Sequence, residues 1–111
     1  LVSGAPSDPA AVQALRDAMT AHVGVRRTAE GLRTALQVIA RLEKNQRADE
    51  SFVNMCATAT LITAAALRRE ESRGGHWRDD FPDTDPAQAV RTLITLPEAL
   101  KIRAGACKDQ P

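Results

Sequence analysis

Aromatic side chains are scarce in this 111-residue chain, where they make up 3% of the residues. Strands favour aromatic and β-branched residues, whereas alanine, the commonest residue here, favours helices. The composition therefore predicts closely packed helices and argues against a β-sandwich. No uninterrupted apolar run approaches the roughly 20 residues that a bilayer-spanning helix needs. The net charge is only +1, so we expect neither a nucleic-acid partner nor a membrane partner.

Glycine is also sparse, and its six positions form no Gly-x-Gly-x-x-Gly fingerprint. The pyrophosphate of a dinucleotide needs such a loop leading into a helix N-terminus. The adjacent pair Gly74 and Gly75 follows a predicted helix, which is the wrong end for a phosphate. The chain by itself is therefore expected to bind no dinucleotide cofactor.

The two cysteines, Cys56 and Cys107, are isolated in the sequence and have no spacing typical of a metal site. Cys56 lies within an apolar helical pattern and is expected to be a small buried side chain. Unpaired cysteines fit a reducing, cytoplasmic location. The sequence predicts no metal ligand and no catalytic residue.

Caps and apolar spacing predict where the first two helices begin. Residues 1–7 read as a linker, and a chain that begins with Leu rather than Met is expected to be a piece of a longer protein. Asp8-Pro9 predicts a helix start, and the apolar face that follows continues towards a cap at Gly24. A second amphipathic helix is predicted to start at Thr28.

The third helix is predicted from about Ser51 to Arg73 and is apolar on two sides. A helix of this kind must bury both sides. The second side either contacts something outside this chain or is merely small and half exposed. The first side comprises Phe52, Met55, Cys56, Ala59, Ile62 and Ala66, and the second comprises Val53, Ala57, Leu61, Ala64 and Leu67.

The C-terminal region is predicted to hold only short helices. Asp85-Pro86 repeats the Asp-Pro helix start, and a short helix is predicted to follow as far as about Leu93. Pro97 is expected to interrupt the chain and to leave another turn or two up to Arg103.

Together these patterns predict an all-α fold. Short helices are marginal alone and short connections imply antiparallel neighbours, so we predict an antiparallel three-helix bundle similar to a spectrin repeat. A C-terminal loop and a short extra helix complete it. The bundle is predicted over residues 8–104, followed by a disordered tail at 105–111.

The most distinctive stretch is the polar segment at 67–82, where the third helix is predicted to end. The glycine pair is expected to cap that helix. Glu70 and Glu71 lie where the helix dipole disfavours carboxylates, so they need cationic partners, and Arg73 and Arg78 are the nearest. The mixture of arginines and carboxylates predicts a salt-bridge network, because the adjacent acids cancel the field that nucleic acid would require.

The two histidines are interpreted as structural residues. His76 could act as a base beside Asp79 or Asp80, but a base needs a reacting group and a pocket, and a small helix bundle offers no obvious pocket. We expect His76 to bond a loop carbonyl or a neighbouring carboxylate. His22 lies on the apolar face of the first helix and is interpreted as a core or edge residue.

From residue 69 to residue 82 the sequence reads Arg-x-Glu-Ser-Arg-Gly-Gly-His-x-Arg-x-Asp-Phe-Pro. This pattern resembles a signature of the C-terminal helical domain in flavoproteins that include L-aspartate oxidase and the succinate dehydrogenase and fumarate reductase flavoprotein subunits. The resemblance implies a parent enzyme with FAD, whose flavin-binding and capping domains hold the catalytic residues and pack against this domain. It implies an interdomain structural role, with no cofactor of its own, for Arg69, Glu71, Ser72, Arg73, Gly74, His76, Arg78 and Asp80.

The segment from Val23 to Leu32 is similar to a Gly-Val-x-Arg segment of the L-aspartate oxidase branch. That branch implies oxidation of L-aspartate to iminoaspartate in the bacterial de novo route to NAD, with quinolinate synthase taking the product. Ala21-His22 departs from the branch, which often has an aromatic residue nearby. The alternatives are a succinate dehydrogenase or fumarate reductase fragment, whose partner would be an iron–sulfur protein, and a free-standing helical interaction module.

Overall fold

The computed structural model of the chain describes residues 7–24, 26–73, 76–88 and 93–107. Within these ranges the chain is helical and contains no strand, which confirms the all-α prediction. The helices are α1 (Pro9–Val23), α2 (Ala29–Asn45), α3 (Glu50–Arg68), a 3-10 turn (Pro86–Gln88) and α4 (Leu96–Cys107).

Side-chain caps fix where the first three helices begin. The carboxylate of Asp8 accepts a hydrogen bond from the first turn of α1, and Pro9 occupies the first helical position, as predicted. Thr28 caps α2 in the same way, again as predicted, and Asp49 caps α3. Each such cap is worth about 1 kcal/mol, so these starts are set by local sequence.

The apolar core lies between α1, α2 and α3. At one end of the bundle Leu15 of α1 packs with Ile39 of α2 and with Phe52 of α3. At the other end Val23 packs with Leu32. Because a late residue of α1 meets an early residue of α2, the two helices run antiparallel, as predicted. Burying each of these large side chains stabilises the fold by about 1.5–3 kcal/mol.

α3 packs on both of its apolar sides, but against different neighbours. Most of the first side is buried against α1 and α2, whereas Met55 and Ile62 at its edge stay exposed. On the second side α4 packs against the helix, Arg103 reaches Thr60, and Ala64 is completely buried. The cover for this side comes in part from the chain's own C-terminal helix.

By length and composition alone, α3 could cross a membrane. The core helix of a globular protein satisfies the same criterion, and α3 packs against α1, α2 and α4. Its apolar character is therefore accounted for by the bundle.

Two predicted boundaries around the polar loop are wrong. α3 ends at Arg68, before the predicted end at Arg73, and Arg69 is already extended with φ −89° and ψ 102°. The glycine pair, itself outside the described residues, therefore does not cap this helix. The helix predicted after Asp85 is only a 3-10 turn within the described residues, and residues 89–92 lie outside them.

α4 is longer than predicted and passes through Gly105, where a disordered tail was expected to begin. Pro97 does not interrupt it, because the first turn of a helix needs no partner for the missing proline N–H. Thr95 and Glu98 form a reciprocal capping box across this turn, in which each side chain accepts a hydrogen bond from the other residue's backbone N–H.

Candidate functional site at the loop after α3

The loop after α3 gathers polar side chains around the ends of three helices. We call residues 69–73 and 76–85 the signature loop, and a further arm comes from the α1–α2 connection at residues 26–28. Three polar or charged residues of the loop, Glu71, Ser72 and Arg78, are buried. Burying such groups is costly unless each finds partners, so their contacts define the site.

Arg78 lies at the centre of the signature loop, with a side chain that is 1% exposed. Its Nη1 donates to the carbonyl oxygens of Ala66, Leu67 and Arg69 at 2.9, 3.0 and 3.2 Å. A helix C-terminus leaves such carbonyls unsatisfied and carries partial negative charge. The guanidinium therefore closes the end of α3.

The same guanidinium binds Asp80 in a bidentate pair. Nε and Nη2 of Arg78 each donate to one carboxylate oxygen at 2.8 Å, which lowers the pKa of Asp80 to about 2. Asp80 also accepts a hydrogen bond from the backbone N–H of Ala29, the first residue of α2, at 3.1 Å. The Phe81 ring lies 5.1 Å from the guanidinium carbon. One Arg–Asp pair thus links the end of α3 to the start of α2.

Glu71 is a fully buried carboxylate held between two arginines. Arg69 Nη1 donates to it at 2.8 Å, and Arg73 donates through Nε and Nη2 at 3.2 Å each. The backbone N–H of Asp85 adds a hydrogen bond at 2.9 Å. Hydrogen bonding from Arg73 is the main cause that lowers the pKa of Glu71, so it stays ionised. The predicted partner Arg73 is confirmed, whereas Arg78 pairs with Asp80.

Ser72 organises the backbone of the loop. Its Oγ accepts a hydrogen bond from the N–H of Arg78 at 2.9 Å and donates to the carbonyl of Phe81 at 2.8 Å. Its own N–H donates to the carbonyl of Asp83 at 3.2 Å, and Thr84 Oγ1 donates to its carbonyl at 2.7 Å. A small buried hydroxyl at this position therefore fixes the turn that presents Arg78.

The α1–α2 connection pairs with the loop through a short parallel bridge. The N–H of Arg27 donates to the carbonyl of Trp77 at 3.1 Å, and the N–H of Asp79 donates to the carbonyl of Arg27 at 2.6 Å. On the outer side the Asp79 carboxylate accepts from Arg26 Nε at 3.0 Å and from the Trp77 indole at 2.6 Å. The Arg26 side chain is 73% exposed, so this ion pair contributes little to stability.

His76 joins the loop to the end of α1. Its Nδ1 lies 2.7 Å from Arg27 Nη1, and its Nε2 lies 3.1 Å from the carbonyl oxygen of Arg69. Arg27 Nε in turn donates to the carbonyl of Val23, the last residue of α1, at 3.2 Å. Burial lowers the pKa of His76. Both ring nitrogens are occupied, so the imidazole has no free nitrogen with which to act as a base.

This arrangement holds helix ends together and offers little for catalysis. Among the described residues no buried side-chain nitrogen or oxygen lacks a partner, and no group of three metal-ligating side chains occurs. Burial raises the pKa of Cys56 to about 11, so its thiol stays protonated. An open depression of about 400 Å³ borders the loop, and Asp80, Asp83 and Asp85 contribute to its lining.

The predicted signature residues mostly meet in one place. Sequence reasoning missed Arg27, which connects His76 to α1, and the backbone N–H of Ala29, which receives Asp80. The similarity noted at residues 23–32 marked this connection without indicating what it contacts. Gly74 lies outside the described residues, and the residues brought together are Arg69, Glu71, Ser72, Arg73, His76, Arg78 and Asp80.

A helical domain whose closing loop carries this signature matches a known class. The sequence model described as the fumarate reductase flavoprotein C-terminal domain matches residues 50–105, about half of the chain. The match covers α3, the signature loop and most of α4. The chain therefore belongs to the C-terminal domain family of the fumarate reductase flavoproteins.

Curated relatives include L-aspartate oxidases. The protein of Rhodospirillum rubrum is 49% identical over 84 residues, which cover 76% of this chain and 30% of that protein. The protein of Caulobacter vibrioides is 51% identical over 87 residues, which cover 78% of this chain and 16% of that protein. A component of the fumarate reductase (CoM/CoB) of Methanothermobacter marburgensis is 36% identical over 87 residues, covering 65% and 16%. No solved structure gives a significant match.

The chain thus spans between about a sixth and a third of the length of these relatives. In each of them the matching region is one part of a longer protein.

Proposed function

We propose that this chain is the C-terminal helical domain of a FAD-dependent L-aspartate oxidase and that it braces the flavin-binding and capping domains of the same polypeptide. The observation that carries the proposal is the identity of 49% and 51% with two L-aspartate oxidases, against 36% with the fumarate reductase component. The parent would oxidise L-aspartate to iminoaspartate. FAD supplies that chemistry when bound, and the protein supplies orientation.

The described residues do not fit FAD by themselves. A flavin pyrophosphate needs free backbone N–H groups at a helix N-terminus. The N-termini of α1, α2, α3 and α4 are already capped by Asp8, Thr28, Asp49 and Thr95. The carboxylates that border the open depression would repel a pyrophosphate. We therefore assign no step of the reaction to this chain.

A bracing role agrees with how the polar side chains are used. The signature loop spends its charged groups on helix ends and on one another, as the contacts of Arg78 and Glu71 illustrate. A domain built in this way is rigid at the end that carries the loop. We further propose a cytoplasmic location and a place before quinolinate synthase in NAD biosynthesis, as the resemblance implies.

The test is the electron donor of the full-length parent. Under anaerobic conditions L-aspartate should bleach the flavin absorbance of the parent, and succinate should not. Bleaching by succinate alone would favour a fumarate reductase type of flavoprotein, the alternative that the matched family and the Methanothermobacter marburgensis relative suggest.

A second test concerns the chain by itself. Mixed with FAD and passed through a desalting column, it should elute without flavin absorbance. Retention of stoichiometric yellow cofactor would contradict the assignment of all flavin contacts to the remainder of the parent.

A further inference from the structure

α4 packs against the bundle with its small side chains inward and its large ones outward. Ala99 and Ala106 are 0% and 5% exposed, whereas Leu96 and Leu100 are each 37% exposed. A surface helix normally turns its largest apolar residues towards the core. The reversed order in α4 indicates that the leucines belong to a different contact.

Polar contacts hold α4 in place without help from those leucines. Arg103 Nη1 donates to Glu43 of α2 at 2.8 Å. Gln37 of α2 donates to the carbonyl of Ala106 at 3.0 Å. The helix is therefore anchored near its C-terminal end while its outward side remains uncovered.

The segment that leads into α4 is held in the same way. Arg68 of α3 donates to a carboxylate oxygen of Glu98 at 3.4 Å and to the carbonyl of Leu93 at 3.0 Å. The side chain of Leu93 is nevertheless 78% exposed, the largest value among the exposed large apolar residues of the described chain. Its backbone is fixed and its side chain points away from the domain.

The outward residues form one continuous apolar stripe. Leu96, Leu100 and Ala104 follow one another at four-residue spacing, and Leu93 precedes Leu96 by three residues, so all lie on one side of the helix axis. We call Leu93, Leu96 and Leu100 the leucine face. An exposed apolar stripe of this kind marks a docking surface.

The other exposed apolar side chains are less suited to docking. The indole of Trp77 is bonded to Asp79, and Phe81 stacks near the Arg78 guanidinium, so both already serve the signature loop. Met55 and Ile62 are seven positions apart on α3 and form no such stripe.

We propose that the leucine face of α4 is the surface through which this domain docks onto the flavin-binding part of its own parent polypeptide. The inference rests on the proposed function and adds the place of contact. The signature loop keeps the domain together, because its buried charged groups are satisfied within the domain, and α4 carries the contact with the rest of the enzyme.

The choice of this occupant follows from the lengths of the relatives. The matching region is 30% of one L-aspartate oxidase and 16% of another, so most of each polypeptide lies outside this domain. A tethered surface is present at an effective concentration in the millimolar range, which favours contact within one polypeptide over contact with a second copy. Interfaces between domains of one chain bury roughly 600–1,500 Å², which a leucine stripe with its polar margins can supply.

The experiment compares two lysine substitutions in the full-length, flavin-loaded parent. L100K changes the leucine face, and I62K changes an apolar residue of comparable exposure on α3. Hydrogen exchange of the α4 amides is measured by mass spectrometry. We expect exchange in L100K to accelerate at least tenfold and I62K to leave the α4 rates within twofold of the wild-type parent.

A second variant guards against misfolding. L93K lies at the most exposed leucine and cannot disturb the domain core, so it should accelerate α4 exchange as L100K does. Equal effects of I62K and L100K, or fast α4 exchange in the wild-type parent, would overturn the proposal. Halving of the parent's mass in solution by L100K, with α4 still protected in the monomer, would show instead that the face joins two copies and would also overturn it.

This outcome is independent of the proposed substrate. If the parent oxidises succinate and not L-aspartate, the proposed function fails, but protection of the leucine face can still be measured. If L-aspartate reduces the flavin while α4 is unprotected, the proposed function stands and the docking surface is wrong.

Discussion

Nη1 of Arg27 lies 2.7 Å from Nδ1 of His76, a contact that only a ring without a proton on Nδ1 can make. Arginine is always a charged donor, so Nδ1 must accept. The opposite nitrogen, Nε2, lies 3.1 Å from the carbonyl oxygen of Arg69 and must donate. The pair therefore fixes a neutral imidazole with its proton on Nε2, and through Arg27 it couples the end of α1 to the end of α3.

The first prediction is a loss of stability in mild acid that depends on His76. Burial, followed by the charges of Arg27, Arg78 and Arg69, lowers the pKa of His76 below its usual value of 6.5. The unfolded chain then binds the proton more readily than the folded one. The contribution is complete above about pH 6.5 and is lost as the pH falls from there towards the lowered folded value.

The measurement is the urea midpoint of the chain between pH 7.5 and pH 5. The wild-type midpoint should fall in this window, whereas H76Q, whose neutral amide can still accept and donate, should give a nearly flat profile. H22Q alters the other histidine and should keep the wild-type slope. A flat wild-type profile would contradict the role of the neutral ring.

The second prediction concerns the fork geometry of Arg78. R78K retains one positive charge but cannot serve Asp80 and the α3 carbonyls together, because a lysine lacks the planar fork. We expect a loss of about 2–3 kcal/mol in the free energy of unfolding, the range for buried hydrogen bonds to charged groups. The exposed Arg26 is the matched control, and R26K should change chemical denaturation very little.

The third prediction places part of the acid unfolding at Asp80. Its pKa is lowered to about 2 from an ordinary 3.8, so it stabilises the fold at higher pH, and that contribution is lost as the pH falls from about 4 towards 2. D80N should be less stable at pH 7 and should show a shallower decline in circular dichroism over this interval. D83N, at an exposed position of the same loop, should retain the wild-type decline.

The fourth prediction tests the inward alanines of α4. A99L places three extra carbons where the side chain is 0% exposed, so it should destabilise the chain by about 1–3 kcal/mol through overpacking. A104L makes the same change on the exposed side of the helix and should be nearly neutral. Thermal unfolding compares them, and similar losses in both variants would show that α4 does not pack as described.

The starts of α1 and α2 could be predicted from sequence because their caps are local. Asp8 and Thr28 each bond an N–H within three residues, so the signal lies in adjacent letters. The end of α3 could not be predicted in this way. Its terminal carbonyls are closed by Arg78, which lies 12 residues beyond Ala66, and the nearby glycine pair offered a stronger but misleading local signal.

The packing of α4 was hidden for a different reason. Periodicity reports which side of a helix is apolar, and in α4 the large apolar residues face outward while alanines face the bundle. Pro97 also read as an interruption, although it lies in the first turn. For the candidate site, the residue types in the signature were enough to predict a charge network, but not the long-range partners Arg27 and Ala29.

The position of Arg78, Asp80 and His76 after the three-helix bundle limits how the chain can be shortened. A truncation after α3 would keep every residue of α1, α2 and α3. It would also remove the donor for the last carbonyls of α3, the carboxylate at the first turn of α2 and the acceptor that orients Arg27. The minimal autonomous unit must therefore extend beyond the helices whose side chains make up the core.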